Sequence, residues 1–210
     1  MEELDLLKKD WKRKENSFSQ LSEKELYGML HRKSSSIVKW ILIISILELC
    51  LWTGIGFLFT DDYVDKVNHS EMAFWLKVLN YLNYAVVLAF IYLFYKNYVN
   101  ISTTSSTRKL MKDILKTRKT VQYYVWYNLG MIALCLVIGF IMTLSWSPKV
   151  ADLRNQIEHD DAVLLKAILF MSLIVIIIVG VFWLVYRLLY GILLRKLYAN
   201  YKELEKIDLD

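Results

Sequence analysis

One carboxylate and four of the other polar side chains inside the apolar stretches of this 210-residue sequence are its first candidates for chemistry. A charge at the centre of a bilayer costs about 2.5–3.5 kcal/mol on insertion scales, so we expect Glu48 to face other helices. Asn80, Asn83 and Tyr84 share one helical face by their spacing. Glu48 and Asn83 fall at similar depth, which predicts a hydrogen bond between them. The predicted intramembrane polar cluster comprises Glu48, Asn80, Asn83, Tyr84 and Asn128.

Two roles for this cluster follow from its chemistry. A buried carboxylate can serve as a proton or cation site, which would indicate transport. It can also make an interhelical hydrogen bond that fixes the register of the helices or an oligomer contact. No Lys or Arg lies at the same depth to form an ion pair with Glu48. The sequence therefore favours the interhelical hydrogen bond and leaves the transport role open.

The sequence shows no set of residues with the spacing needed for catalysis or metal binding. The three histidines are His31, His69 and His159, and the expected topology places the first on the opposite side of the membrane from the other two. No nucleophile with a paired base is present, and Cys50 and Cys135 show no metal-ligand spacing. We therefore predict a protein that is not an enzyme, with no catalytic residues, no metal and no cofactor.

The elements that must position the cluster are four long apolar runs, at 37–60, 74–95, 121–146 and 163–186. Each is long enough to cross a hydrocarbon core about 30 Å thick, which takes about 20 helical residues. Helices satisfy their backbone hydrogen bonds internally, as the bilayer requires. The predicted fold is all-α: an integral-membrane four-helix bundle.

Charge decides the expected orientation. Lys and Arg number nine in residues 1–39, seven in 96–120 and five in 187–210, whereas both remaining loops are acidic. The positive-inside rule therefore predicts a multi-pass protein of the cytoplasmic (inner) membrane with both termini in the cytoplasm. Basic residues that flank spans meet lipid headgroups, so the bilayer is a partner and nucleic acid is not expected. Aromatic residues near the span ends predict interfacial anchors: Trp40, Trp75, Tyr123, Tyr124, Trp126, Tyr127, Trp146 and Tyr186.

Three regions follow: a cytoplasmic amphipathic helical head at 1–36, the transmembrane bundle at 37–186, and a cytoplasmic helical stalk at 187–210 that extends the fourth span. The cytoplasmic loop at 96–120 is expected to be irregular over the Ser- and Thr-rich residues 100–107. The three basic segments are expected to pack together beneath the bilayer. In the head, Leu4, Leu7 and Trp11 share one helical face, which is a candidate face for binding a partner.

The residues at 4–12, LDLLKKDWK, and at 29–40, MLHRKSSSIVKW, resemble an uncharacterised family of bacterial four-span inner-membrane proteins. Some of its members carry the label β-carotene 15,15′-monooxygenase. Carotenoid-cleaving oxygenases hold iron with four histidines on a much longer β chain, and the three histidines here do not support that activity. The opening residues also resemble the short cytoplasmic heads of membrane-bound regulators.

The sequence favours two functions over a third, a membrane enzyme that would use Glu48 or the acidic residues of the outer loops. The first is a non-enzymatic regulatory or scaffolding protein that binds a cytoplasmic protein through its basic amphipathic segments. The alternative is a small transporter or channel that uses Glu48, Asn80 and Asn83. Because four spans make a narrow bundle, its path would form between the protomers of a homo-oligomer.

Overall fold

The computed structural model describes residues 23–59, 71–104 and 106–209. Within these ranges the chain forms helices and no strand, which confirms the all-α class. The elements in chain order are α1 (Glu23–Phe59), α2 (Glu71–Thr103), α3 (Thr107–Trp146), a 3₁₀ turn (Pro148–Val150), α4 (Ala151–His159) and α5 (Asp161–Leu209). Four of these helices, α1, α2, α3 and α5, are long and apolar enough to cross a membrane.

These four helices run well beyond the predicted spans, all at the same end of the bundle. We call this the basic end and define it as residues 24–40, 95–120 and 187–206, which contain sixteen Lys and Arg and only four Asp and Glu. The predicted boundaries at 36 and 186 fall inside continuous helices. Residues 23–36 and the first span are therefore successive stretches of one helix, as are the fourth span and residues 187–209.

The expected irregular segment at 100–107 is wrong for residues 100–103, where α2 continues to Thr103, whereas Thr104 and Ser106 lie outside the helices and α3 begins at Thr107. The hydroxyls of Ser102 and Thr103 both donate to the Val99 carbonyl oxygen, at 3.1 and 2.9 Å, which keeps their hydrogen bonding within the helix. Ile101 is fully buried and anchors this last turn. Tertiary packing thus overrides the weak helix preference of the Ser and Thr residues.

At the opposite, acidic end, α3 stops before a proline. Ser147 adopts an extended conformation (φ −77°, ψ 125°), as expected for a residue that precedes Pro148. Arg154 of α4 donates from Nε to the Leu144 carbonyl oxygen at 2.7 Å and from a terminal nitrogen to that of Ser147 at 3.3 Å. The guanidinium thus satisfies carbonyls that the end of α3 leaves without helical partners.

Two clusters of buried side chains hold the bundle together. The first lies at the basic end, is drawn from all four long helices, and consists of Leu30, Val38, Ile101, Leu110, Ile114, Leu197 and Leu204. This confirms that the three basic segments pack against one another. The second begins where the first ends and consists of Ile41, Val87, Phe94, Val121, Tyr124, Leu129, Tyr186 and Tyr190.

The rest of the bundle contrasts with this packing. We call it the acidic-end half: residues 46–59, 71–86, 130–146 and 161–185. None of its described side chains is buried. An apolar groove of about 470 Å³ separates α2 from α3 there, and its lining residues include Trp75, Leu79, Leu82, Leu134 and Ile138. Such faces suit contact with lipid, which is as apolar as leucine.

Candidate functional site

The carboxylate of Glu48 on α1 accepts hydrogen bonds from three tyrosines of α3 and α5. The Tyr124 hydroxyl lies 2.8 Å from Oε2, and the Tyr190 hydroxyl lies 3.4 Å from the same oxygen. The Tyr186 hydroxyl donates to Oε1. Both carboxylate oxygens are therefore engaged, and one side chain joins three helices.

Helix periodicity explains how these groups meet. Tyr186 and Tyr190 are four residues apart, so both project from one face of α5. Ser45 lies on α1 just before Glu48, and its hydroxyl oxygen is 3.2 Å from that of Tyr190. Ser45 donates its own proton to the Ile41 carbonyl oxygen at 2.9 Å, so the single Tyr190 proton is shared between two acceptors, the Ser45 hydroxyl oxygen and Glu48 Oε2.

Aromatic packing surrounds the cluster. Tyr124 makes edge-on contacts with Phe90 and Phe94 of α2, with ring centroids 5.5 and 5.4 Å apart, and with Tyr190 at 6.0 Å. Tyr124 and Tyr190 are each 1% exposed and Tyr186 is 5% exposed. The packing therefore fixes the positions of the three hydroxyls around the carboxylate and shields them from solvent.

The electrostatics of the site follow from the tyrosine hydroxyls and aromatic rings that surround Glu48. A desolvated carboxylate is unfavourable unless it is hydrogen-bonded, and hydrogen bonds to a charged acceptor are among the strongest in proteins. Tyrosine hydroxyls supply donors without adding a charge. The arrangement can hold a carboxylate inside the bundle, and it can pass a proton among hydroxyls.

The cluster lies close to an exposed arginine of α5. Tyr186 and Tyr190 flank Arg187, an exposed residue whose guanidinium stacks 5.1 Å from the Trp183 ring. An exposed Arg beside a Trp is typical of the boundary between lipid and water. Side chains on a helix lean toward its N-terminus, so the carboxylate of Glu48 reaches toward that boundary.

The other predicted members of the polar cluster are placed apart from the carboxylate. The predicted Glu48–Asn83 hydrogen bond is wrong, because Asn83 Oδ1 accepts from the Tyr127 hydroxyl at 3.0 Å. Asn128 donates to the Tyr124 backbone carbonyl oxygen at 3.0 Å and so lies one residue away from the site. Tyr84 is half-buried and Asn80 is exposed, and neither is hydrogen-bonded to Glu48.

The tyrosines are the functional residues that the sequence reading missed. Tyr124 and Tyr186 are among the aromatic residues that the sequence predicts to anchor at the membrane interface. Both are buried in the bundle, whereas Trp40, Tyr123 and Trp126 are exposed. The sequence did contain a signal for these tyrosines. Tyr186 and Tyr190 are four residues apart, which places two hydroxyls on one face of the helix and does not resemble an anchoring pattern.

The remaining candidates do not add a second site. Among the described residues, no group of three or more His, Cys, Asp or Glu side chains could hold a metal ion. The His159 ring nitrogen Nδ1 is 2.7 Å from the Asn155 carbonyl oxygen. The candidate partner face, Leu4, Leu7 and Trp11, lies outside the described residues, as does His69.

Comparison with known proteins gives one match. The family described as Domain of unknown function (DUF8845) matches residues 24–209, which include every helix of the bundle. Neither the curated proteins nor the solved structures contain a match to the sequence.

Proposed function

Because the chain belongs to this family of unknown function, we propose from its geometry that it is a non-enzymatic membrane protein that binds a partner protein at its basic end. In this proposal it acts as a regulatory or scaffolding component of the cytoplasmic membrane. One observation carries the proposal: the four long helices continue past their spans into a packed bundle with a strongly basic surface.

Length supports this reading. The part of α5 at 187–206 alone extends about 30 Å at about 1.5 Å per residue, which is more than a membrane anchor requires. A buried polar contact fixes its position against α1, because Asn200 donates from Nδ2 to the Ser34 hydroxyl oxygen at 3.1 Å. A second, partly buried contact joins α1 to the end of α2, where the Tyr27 hydroxyl donates to the Thr104 carbonyl oxygen at 3.1 Å. The bundle is thus a rigid body that can present a surface.

Charge supports it as well. Sixteen Lys and Arg lie at the basic end against four Asp and Glu, and the positive-inside rule directs such a surface to the cytoplasm. The Glu48 cluster then serves as a lock between α1, α3 and α5 rather than as a reactive group.

Crosslinking in cells tests the proposal. A lysine-reactive crosslinker is applied to intact membranes, the protein is purified, and crosslinked peptides are identified by mass spectrometry. We expect one other protein in stoichiometric amount, joined through basic-end lysines such as Lys112 and Lys196. Lys149 and Lys166 at the acidic end are the internal control and should not join to it. Recovery of this chain alone would contradict the proposal.

A second candidate, proton-coupled transport by a homo-oligomer, is favoured by the chain of hydroxyls that links Glu48 to Ser45 through Tyr190. Glu48→Gln should then abolish a pH-driven flux in proteoliposomes, with Asn80→Ala, an exposed position, as the control. Absence of any flux in the wild type would rule out this candidate.

A further inference from the structure

Four lysines form a straight stripe on the outer face of α3 at the basic end. They are Lys109, Lys112, Lys116 and Lys119, all exposed, and we call them the lysine stripe. Their spacing of three, four and three residues keeps them on one side of the helix. The same spacing continues to Tyr123 and Trp126, which are each 68% exposed and end the stripe with an aromatic pair.

The bundle itself does not use this face. α3 packs inward through Leu110, Ile114 and Val121, which are at most 1% exposed. The stripe points to the opposite side of the helix. Four like charges along one line repel each other, and Asp113 is the one acidic residue in this stretch of α3 that offsets them.

Lipid headgroups do not account for the whole stripe. Tyr123 and Trp126 mark the interface, and the stripe extends from there for about 15 Å at about 1.5 Å per residue. The headgroup layer is only about 5–8 Å thick on each side of the hydrocarbon core. Side chains on α3 lean toward its N-terminus, which points away from the membrane, so Lys109 and Lys112 reach past the headgroups.

A second copy of the chain does not fit either. Two stripes brought face to face would place lysines against lysines, and like charges opposed across an interface are strongly unfavourable. The complementary surface is a row of carboxylates. The three- and four-residue spacing is the repeat with which one helix packs along another.

We propose that the lysine stripe docks an acidic helical segment of a partner protein, with Glu or Asp at three- and four-residue spacing. This inference rests on the proposed function, since it names the surface and the class of partner. The aromatic pair of Tyr123 and Trp126 sets the depth at which the segment ends.

A designed peptide pair tests the proposal on the full chain in zwitterionic nanodiscs. One peptide is a helix with four Glu at spacings of three, four and three residues, and the other has the same composition with its Glu spread around the helix. We expect the first to bind at least tenfold more tightly than the second. Equal binding of the two peptides would overturn the proposal.

Charge variants locate the binding. Lys112→Glu with Lys116→Glu should weaken binding of the first peptide at least tenfold, and a peptide with Lys in place of Glu should bind this variant instead. The matched control, Lys196→Glu with Lys206→Glu, changes the net charge equally at exposed positions of α5 and should leave binding intact. Equal loss in both variants would overturn the proposal. Stripe-dependent binding to nanodiscs that contain phosphatidylserine, with no peptide preference, would also overturn it in favour of lipid.

The crosslinking experiment separates this inference from the proposed function. If the stripe variant still recovers the partner in full yield, the stripe is not the docking surface but the proposed function stands. If the wild type recovers no partner, the proposed function fails as well.

Discussion

The two halves of the bundle are built by different rules. At the basic end, the helices bury leucines, isoleucines and valines in a core that all four long helices share. In the acidic-end half, α5 runs from 161 to 185 without one buried side chain, although this stretch is almost entirely apolar. The same helices therefore hold together by burial at one end and leave their apolar surface open at the other.

The solvent explains this contrast. In water, burying apolar surface stabilises by about 25 cal/mol per Å², so helices that project past the bilayer must pack. In lipid that gain is absent, and association depends on close packing and hydrogen bonds. The Glu48 cluster lies where the buried core gives way to the acidic-end half, and there hydrogen bonds also link the helices.

The sharpest way to test this contrast is a pair of truncations. Leu197→Ala in the basic-end core should lower the free energy of unfolding by about 2–5 kcal/mol, because it leaves a cavity among packed side chains. Ile177→Ala, at a position 56% exposed in the acidic-end half, should change it by less than about 0.5 kcal/mol. Both are measured by denaturant unfolding in the same detergent. Equal losses would show that the acidic-end half is packed as tightly as the basic end.

Removal of the carboxylate at the junction should have a smaller effect. Glu48→Ala leaves buried hydroxyls without their acceptor, which should lower the free energy of unfolding by about 1–3 kcal/mol. Glu48→Gln keeps one acceptor oxygen and should lose less. A Glu48→Ala variant as stable as the wild type would mean that the cluster does not lock the helices.

A smaller effect than that of Glu48→Ala is expected for the hydrogen bond between Tyr127 and Asn83, which lies within the predicted spans. A double-mutant cycle of Tyr127→Phe and Asn83→Ala should give a coupling energy of about 0.6 kcal/mol, the average for such bonds in a membrane. The matching cycle of Tyr124→Phe and Glu48→Ala should give a larger value, because its acceptor is a carboxylate. Reversal of this order would place the lock at Asn83.

Much of the fold could be predicted from the sequence, because the thickness of a bilayer sets the length of an apolar run. The packing of the basic segments was also predictable, from helical spacing of leucines such as Leu193 and Leu197. The continuous helix through 100–103 was not, since Ser and Thr favour irregular structure and only the burial of Ile101 reverses that preference. Local propensity gave the wrong answer where a long-range contact decides.

The candidate site was harder to predict than the fold. Glu48 stood out because its charge is unusual in an apolar run, but its partners depend on how the helices rotate and slide past each other. Counting residues placed Asn83 at its depth, whereas the structure brings Tyr186 there from the very end of the fourth span. Sequence spacing fixes which residues share a face within one helix and says little about the offset between helices.

The continuity of α5 has a mechanical consequence. Its 49 residues form one uninterrupted rod from the acidic end to the basic end, with a length of about 73 Å. A spanning helix adjusts its tilt to the thickness of the bilayer. A change in tilt of about 5° at the membrane would swing the far tip of this rod by about 6 Å, by its length alone. Because α5 shares a buried core with the other long helices at the basic end, that whole packed end would have to move with the rod.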